Sequence, residues 1–508
     1  MLNAVVLFAA ALACPIVLQP AGTAAAPTTS VAARAAGVAA ERWSLDEGVP
    51  LATKASDLTA LDRYVREDDG AFKWELVRTD HVPGITVYNI ALTSQRWRSA
   101  EEISHPLWTH YLTIGVPDRI QSATPIFVIG GGRRRETPRD TPPGELSLLV
   151  RSSGAVVCYL DNIPNQPMTF PGETEGRSED DFLAHTWNLA IRDNDSRWIG
   201  RFPMVKAVVK GMDAAEQFLS RQDLSPAAMS DDQPLKSGFK PDGFFVTGAS
   251  KRGWTTWLVA AVDKQRCRAI APLVIDVLNL QDHTPHHFAS YGFWAPALDS
   301  YTKNGIDKKF GSPELARVIA HEDPAAYLAR IGDMPRYIVT ATGDEFFPTD
   351  SARHYEKLLS GEWHLRSVPN AAHSLSGSPA LLDTLAFYKA VVRKAPRPSM
   401  TWDLSPADGA DTLNVTTSAK PSRVSLWTCD NPKARDFRLD QTGKTWKSTD
   451  VAPASGSPLR YSARVERPAS GYRAFFIECV FTTDDAQVPP LTFTTRVFIT
   501  PDTLPFAK

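Results

Sequence analysis

Apolar positions in the middle of the chain form short, nearly continuous runs. Thr124-Pro-Ile-Phe-Val-Ile-Gly-Gly-Gly132, Gly154-Ala-Val-Val-Cys-Tyr-Leu160, Phe244-Phe-Val-Thr-Gly248, Ala269 to Ile275 and Arg336 to Thr342 have this character. They predict strands buried on both faces. Elsewhere the apolar positions recur at helical spacing: Met204, Ala207, Val208, Met212, Ala215, Phe218 and Leu219 within 203–222, then 251–262 and 380–394. Strands alternating with helices over ~300 residues predict a doubly wound, mostly parallel sheet covered on both faces.

Around Lys394-Ala-Pro-Arg-Pro398 the pattern changes. Thr412 to Thr416, Arg423 to Cys429, Tyr461 to Val465, Tyr472 to Phe481 and Leu491 to Ile499 are short runs separated by Asp, Gly, Pro and Ser. This spacing predicts a separate all-β sandwich of immunoglobulin or fibronectin type over 399–508, following an α/β unit over 51–394. No His occurs after Pro398, so the sandwich is expected to supply binding or stability and no chemistry. A chain ending near Lys394 should then keep its reactive centre. At the amino end, residues 4–18 are apolar but short for a bilayer span, and small residues follow from Ala21 to Ala26. That pattern predicts a cleaved signal peptide over 1–26, a low-complexity lead over 27–50 and an exported protein with no integral membrane segment in the mature chain.

Composition narrows the partners. Hydrophobic residues make up 43% and charged residues 22%, as in an ordinary globular protein. The 55 Lys and Arg nearly cancel the 57 Asp and Glu, which leaves no basic footprint for nucleic acid. Neither CxxC nor HExxH occurs, and His283-Thr-Pro-His286-His287 lacks zinc spacing, so neither metal nor cofactor is expected. With the signal peptide removed, Cys158, Cys267, Cys429 and Cys479 remain. In an oxidising compartment Cys429 and Cys479, both in the strand-rich end, are the first pair to expect as a disulfide; buried thiols are the alternative.

Candidate chemistry centres on Phe244-Phe-Val-Thr-Gly-Ala-Ser-Lys-Arg-Gly253. A buried strand runs into a tight turn with Ser250 at its apex and a helix behind it, the context of a nucleophile elbow. The spacing is G-x-S-x-x-G, with Arg252 where the common pattern has its second glycine. Tyr337 to Asp344 is a strand ending in an acid, and His373 lies on a loop further on, giving the chain order Ser, Asp, His of the α/β-hydrolases. In that scheme His373 takes the Ser250 proton and a buried carboxylate orients the imidazole. Asp344 is the preferred carboxylate; Asp276, one strand earlier, is the alternative, and Glu345 and Asp350 crowd the position. The Gly130-Gly131-Gly132 turn offers Gly131 N–H beside Lys251 N–H as an oxyanion hole. Lys251 and Arg252 could bind a substrate carboxylate, or Arg252 could pair with a structural acid such as Asp276 or Asp344. His283, His286, His287 and Tyr291 follow a strand end and read as lid or packing residues.

Several motifs together resemble the PhoPQ-activated pathogenicity-related family of exported α/β-hydrolase-like proteins. They are Leu92-Thr-Ser-Gln95, Trp108-Thr-His110, Gly130-Gly-Gly132, Ile163-Pro-Asn-Gln-Pro167, Gly248-Ala-Ser-Lys-Arg-Gly253, Asp276-Val-Leu-Asn279 and Gly343-Asp-Glu-Phe-Phe347. Arg435-Asp-Phe-Arg438 and Gly471-Tyr-Arg-Ala-Phe-Phe476 resemble that family's β-domain. The serine turn is also similar to the elbow of the glucuronoyl esterases, in which a basic residue follows the serine. These readings lead to an expectation of serine hydrolysis of an ester or peptide substrate through an acyl-enzyme. An exported signalling protein on a hydrolase fold is the alternative.

Overall fold

The computed structural model of the chain describes residues 43–46, 58–221, 228–229 and 238–507. The predicted signal peptide and most of the lead lie outside the described residues. Within the lead, Trp43 and Leu45 are buried, and Trp43 packs edge-on against Tyr64 with ring centroids 6.2 Å apart. An indole of this size gains more from the core than from water, so the expected loose lead does not extend through Trp43.

The first elements are helix α1 (Ala60–Arg66), closed at its start by a reciprocal Thr59–Asp62 capping box, and the long antiparallel strands β1 (Lys73–Val82), β2 (Ile85–Arg96) and β3 (Leu107–Pro117). The α/β part follows: β4 (Ile126–Ile129), α2 (Gly144–Ser153), β5 (Val157–Leu160), α3 (Glu179–Asp193), α4 (Arg201–Arg221), β6 (Phe244–Ala249), α5 (Lys251–Val262) and β7 (Cys267–Leu273). A helical insertion containing α6 (Leu280–Tyr291) and α7 (Pro313–Glu322) separates β7 from β8 (Arg336–Ala341), after which come β9 (Trp363–Val368) and α8 (Ala380–Val392).

In space β5, β4, β6, β7, β8 and β9 lie side by side in that order and are mutually parallel. Successive strands step one way from β4 to β5 and the other way from β4 to β6. Such a reversal opens a crevice beyond the carboxyl ends of the two diverging strands, here β4 and β6. The glycine turn follows β4 and the serine turn follows β6, so both candidate elements meet at this crevice. Among the described residues no helix is long and apolar enough to cross a membrane.

The C-terminal strands are β10 (Met400–Ala407), β11 (Ala410–Thr417), β12 (Arg423–Asn431), β13 (Lys447–Asp450), β14 (Arg460–Glu466), β15 (Tyr472–Phe481), β16 (Leu491–Thr494) and β17 (Phe498–Thr500). Strands β10, β11 and β14 form a three-stranded sheet. The others join the first sheet: β16 pairs with β9 at Leu365–Thr494, making one 14-stranded sheet among the described residues. Arg366 is buried at this junction and pairs with Asp383 on α8 at 2.7 Å and with Glu478 on β15 at 2.8 Å. One apolar cluster contains Val339 and Phe387 together with Leu413, Tyr461 and Phe475. The sequence pattern predicts a separate sandwich, whereas one sheet and one apolar core continue past Pro398. Alternation identifies strands but says nothing of which sheet edge they join.

The expected Cys429–Cys479 disulfide is also corrected. In the β12–β15 register Cys429 pairs with Ala474 and Cys479 with Val424, which separates the two cysteines by ~17 Å and sets them on opposite faces. A disulfide needs Cα atoms within ~7 Å. Cys158, Cys267, Cys429 and Cys479 are all buried free thiols.

Candidate functional site

Ser250 stands between β6 and α5 with φ 57° and ψ −128°. A non-glycine residue held in so sparsely populated a region costs about 1–3 kcal/mol, and the surroundings must over-determine it. Ser250 N–H donates to Leu273 O at 2.8 Å, and Ser250 O accepts from Trp254 N–H at 3.0 Å. A Cβ on Gly253 would lie 2.9 Å from Leu273 O and 3.0 Å from Gly248 O; one on Gly248 would lie 2.8 Å from Arg252 O. The closest approach of helix to strand thus falls at Gly253, which explains why the second glycine stands three residues after the serine. Arg252 is thereby left with its side chain directed out of that contact.

Both cations after the serine are engaged by protein groups. Arg252 donates to Ile163 O at 2.7 Å and to Glu179 at 2.6 Å, while Lys251 Nζ lies 2.9 Å from Glu179 and 3.2 Å from Asp180. Burial alone would raise the Glu179 carboxyl, but the Arg252 and Lys251 charges outweigh it and hold the group well below the usual carboxylate range. Arg252 pairs with neither Asp276 nor Asp344, and it offers no free fork to a substrate carboxylate. The acid that holds it, Glu179, is not among the candidates the sequence offers; it stands in the acidic run Glu179-Asp-Asp181. Its position is set by a backbone φ of 54° and by its N–H, which donates to Gln166 Oε1 at 2.7 Å. The Arg252 guanidinium also explains the glycine turn, since a Cβ on Gly131 would lie 2.7 Å from it. Gly131 N–H donates to no group among the described residues, and its carbonyl accepts from Asn162 N–H at 3.0 Å.

On the far side of the crevice, Asp344 follows β8 and His373 follows the neighbouring β9. His373 Nδ1 lies 2.8 Å from Asp344 Oδ2, and the His373 backbone N–H donates to Glu345 at 2.7 Å. Asp344 Oδ1 accepts from Phe346 N–H at 2.8 Å. Asp276 is engaged elsewhere: its buried carboxyl accepts from the Tyr355 hydroxyl at 2.5 Å. Burial raises its pKa to about 8, aided by the Asp344 and Asp350 charges and opposed by the Tyr355 hydrogen bond. Asp276 partners no imidazole and does not line the cavity at the serine. Asp350 is likewise occupied, by Arg435 at 2.8 Å and His286 at 3.0 Å.

Ser250 Oγ makes no hydrogen bond among the described residues, so serine and histidine are not directly bonded. Ser250, Phe346 and Phe347 line one cavity, and the His373 ring packs on those two phenylalanines with centroids 4.3 and 6.0 Å away. Catalytic hydrogen bonds are often long in the absence of substrate.

Comparison with known proteins gives two kinds of result. A family model described as PhoPQ-activated pathogenicity-related protein matches residues 61–438. The Autocrine proliferation repressor protein A of Dictyostelium discoideum is 35% identical over 476 residues, which span 89% of this chain and 92% of that protein. Among solved structures, an acetyl xylan esterase from Paenibacillus sp. R4 overlays with a TM-score of 0.44 at 12% identity, over 68% of this chain and 98% of that one. Acetyl xylan esterase 1 from Thermoanaerobacterium sp. JW/SL YS485 gives 0.41 at 12% identity, over 62% and 86%.

Proposed function

The chain belongs to the PhoPQ-activated pathogenicity-related protein family, and from that premise we propose that it is an exported α/β-hydrolase that cleaves an ester or amide bond through an acyl-enzyme. The observation that carries this reading is the strained Ser250 turn at the switch point of a parallel sheet, with a carboxylate-bonded imidazole packed on Phe346 and Phe347, two phenylalanines of the cavity that Ser250 lines. Ser250 Oγ attacks the carbonyl carbon while His373 Nε2 takes its proton. Asp344, bonded to Nδ1, holds the tautomer that leaves Nε2 free and stabilises the imidazolium. The oxyanion is received by Gly131 N–H and by Lys251 N–H at the start of α5, where backbone donors lack intrahelical partners. His373 then gives its proton to the leaving group, and water repeats the sequence to release the acid. Side chains, backbone and water account for every step. Arg252 and Lys251 serve through Glu179 to fix the elbow against α3. Export rests on the apolar segment 4–18 and the small residues that follow it.

One observation favours a second reading, a signalling protein with little turnover: the Dictyostelium relative is named an autocrine proliferation repressor. Hydrolysis of p-nitrophenyl acetate and of a peptide anilide by wild type and Ser250→Ala separates the two. The expected result is measurable turnover of at least one of them, reduced at least about a thousandfold in the folded variant. Equal rates in the two proteins, or a folded wild type inert toward both compounds, would favour the second reading.

A further inference from the structure

The cavity beside Ser250 is walled by Trp187, Trp254, Trp294, Tyr301, Phe346 and Phe347. Its charged lining is balanced: Asp180 and Asp307 face Lys251 and Arg201. Lys251 is held by Glu179 and Asp180, and Arg201 pairs with Glu322 at 3.1 Å while its guanidinium lies 3.8 Å over Trp254. The site therefore offers large apolar faces and no surplus charge to attract an anion.

Within this wall, a few buried polar atoms have no partner among the described residues: His287 Nδ1, Arg201 Nε and Asp307 Oδ1. His287 is the clearest: it is 1% exposed, as Arg201 is, and its other ring nitrogen has a fixed role. Its Nε2 accepts from the Ala295 backbone N–H at 3.2 Å, so that nitrogen carries no proton and the proton of the neutral ring sits on Nδ1. Burial, with the His286 and Arg438 charges, lowers the His287 pKa to about 3, which keeps the ring neutral and Nδ1–H in place at physiological pH. A buried donor without an acceptor is costly, and a ligand that supplies the acceptor removes that cost. Asp307 Oδ1 asks for the converse, a donor.

We infer that this cavity binds a bulky aromatic acyl group bearing a neutral hydroxyl, whose oxygen accepts from His287 Nδ1–H. The inference rests on the proposed reading of Ser250 as the nucleophile. It follows that small acyl groups leave the aromatic wall unfilled and that a carboxylate in place of the hydroxyl meets Asp180 and Asp307 without net positive charge.

The test compares ethyl acetate with the ethyl esters of 3-phenylpropanoic acid, its 3- and 4-hydroxyphenyl analogues and its 4-carboxyphenyl analogue, alongside fluorophosphonate labelling of Ser250. The expected result is labelling at Ser250, with kcat/KM for the phenylpropanoate above that for ethyl acetate by at least about tenfold. One hydroxy isomer should gain about threefold to tenfold more, and that further ratio should fall to about one in His287→Phe. Labelling at Ser250 with ethyl acetate turned over equally well, with the carboxy ester preferred, or with the hydroxy preference intact in His287→Phe would overturn the inference while leaving the serine mechanism in place. Absence of labelling and of all turnover would instead count against the mechanism. Calorimetry of 3-(3-hydroxyphenyl)propanamide and 3-(4-hydroxyphenyl)propanamide on Ser250→Ala then decides the cavity separately, with one of the two binding tighter than 3-phenylpropanamide expected and equal or absent binding of both contradicting it. The same calorimetry replaces the variant comparison if His287→Phe does not fold.

Discussion

The two sides of the crevice are built differently. The serine side is local: Phe244 to Gly253 forms strand, turn and helix start in ten consecutive residues, closed by Leu273 on the next strand and by Glu179 on α3. The Asp344 and His373 side is held from a distance. Leu439 N–H donates to Gly343 O at 3.0 Å, and a Cβ on Gly343 would lie 2.8 Å from Leu439 Cβ. Asn370, three residues before His373, exchanges two hydrogen bonds with the Trp446 backbone at 3.1 and 3.0 Å. Arg435 is fully buried against Asp350 and Ser290. The loops that carry Asp344 and His373 are thus shaped by residues 435–446, far along the chain, although that segment brings no titratable group to the serine. A region without chemistry of its own can still decide whether the chemistry is aligned.

The largest effect should come from removing that region. A chain ending at Lys394 would bare the β9 edge, strip Glu478 from buried Arg366 and strip Arg435 from buried Asp350. Breaking a buried pair costs about 3–5 kcal/mol each time, a large part of ordinary domain stability. Loss of the cooperative thermal transition together with serine reactivity is expected, contrary to a modular two-domain chain. A soluble truncation that reacts at the full rate would break the comparison.

Next in size is Asp344→Asn, which should lower kcat by about 10⁴ through the wrong imidazole tautomer, with Tm little changed. A comparable loss in Asp276→Asn alone would move the acid to the other strand. Arg435→Leu should destabilise the protein by about 3 kcal/mol, because burial would then raise an Asp350 carboxyl that Arg435 now holds well below its ordinary range. Denaturant unfolding reads this directly. The smallest effect on turnover is expected for Asp276→Asn, since that carboxyl is bonded to the Tyr355 hydroxyl and not to His373. With its folded pKa raised to about 8, Asp276 supports the wild-type fold fully below its unfolded value of about 4 and loses that support as pH rises toward 8. The Asn variant should therefore gain on wild type across that window in thermal melts, and a constant difference would contradict the assigned protonation.

What could be read from the chain follows the same division. The serine turn is legible because its determinants are contiguous, and the acid and base are legible as candidates because Asp344 ends an apolar run and His373 follows on a later loop, in the Ser, Asp, His order. The sequence prefers Asp344 and keeps Asp276 as the alternative, and it is the hydrogen bonds to His373 and to Tyr355 that distinguish them. Glu179 is hidden in an acidic run whose partners come from another element. Strand β1 escapes the reading because its side chains are largely exposed or half-buried, leaving weak alternation. The continuous sheet and the separation of Cys429 from Cys479 depend on strand register, which a single hydrophobic pattern leaves open.

The central claim, that Ser250 is a nucleophile poised for reaction, is tested most directly by treating the full-length protein with a fluorophosphonate and mapping the adduct by peptide mass spectrometry. A single adduct on Ser250 is expected, absent in Ser250→Ala and slowed in Asp344→Asn. A folded wild-type protein that forms no adduct, or forms it on another residue, would contradict it.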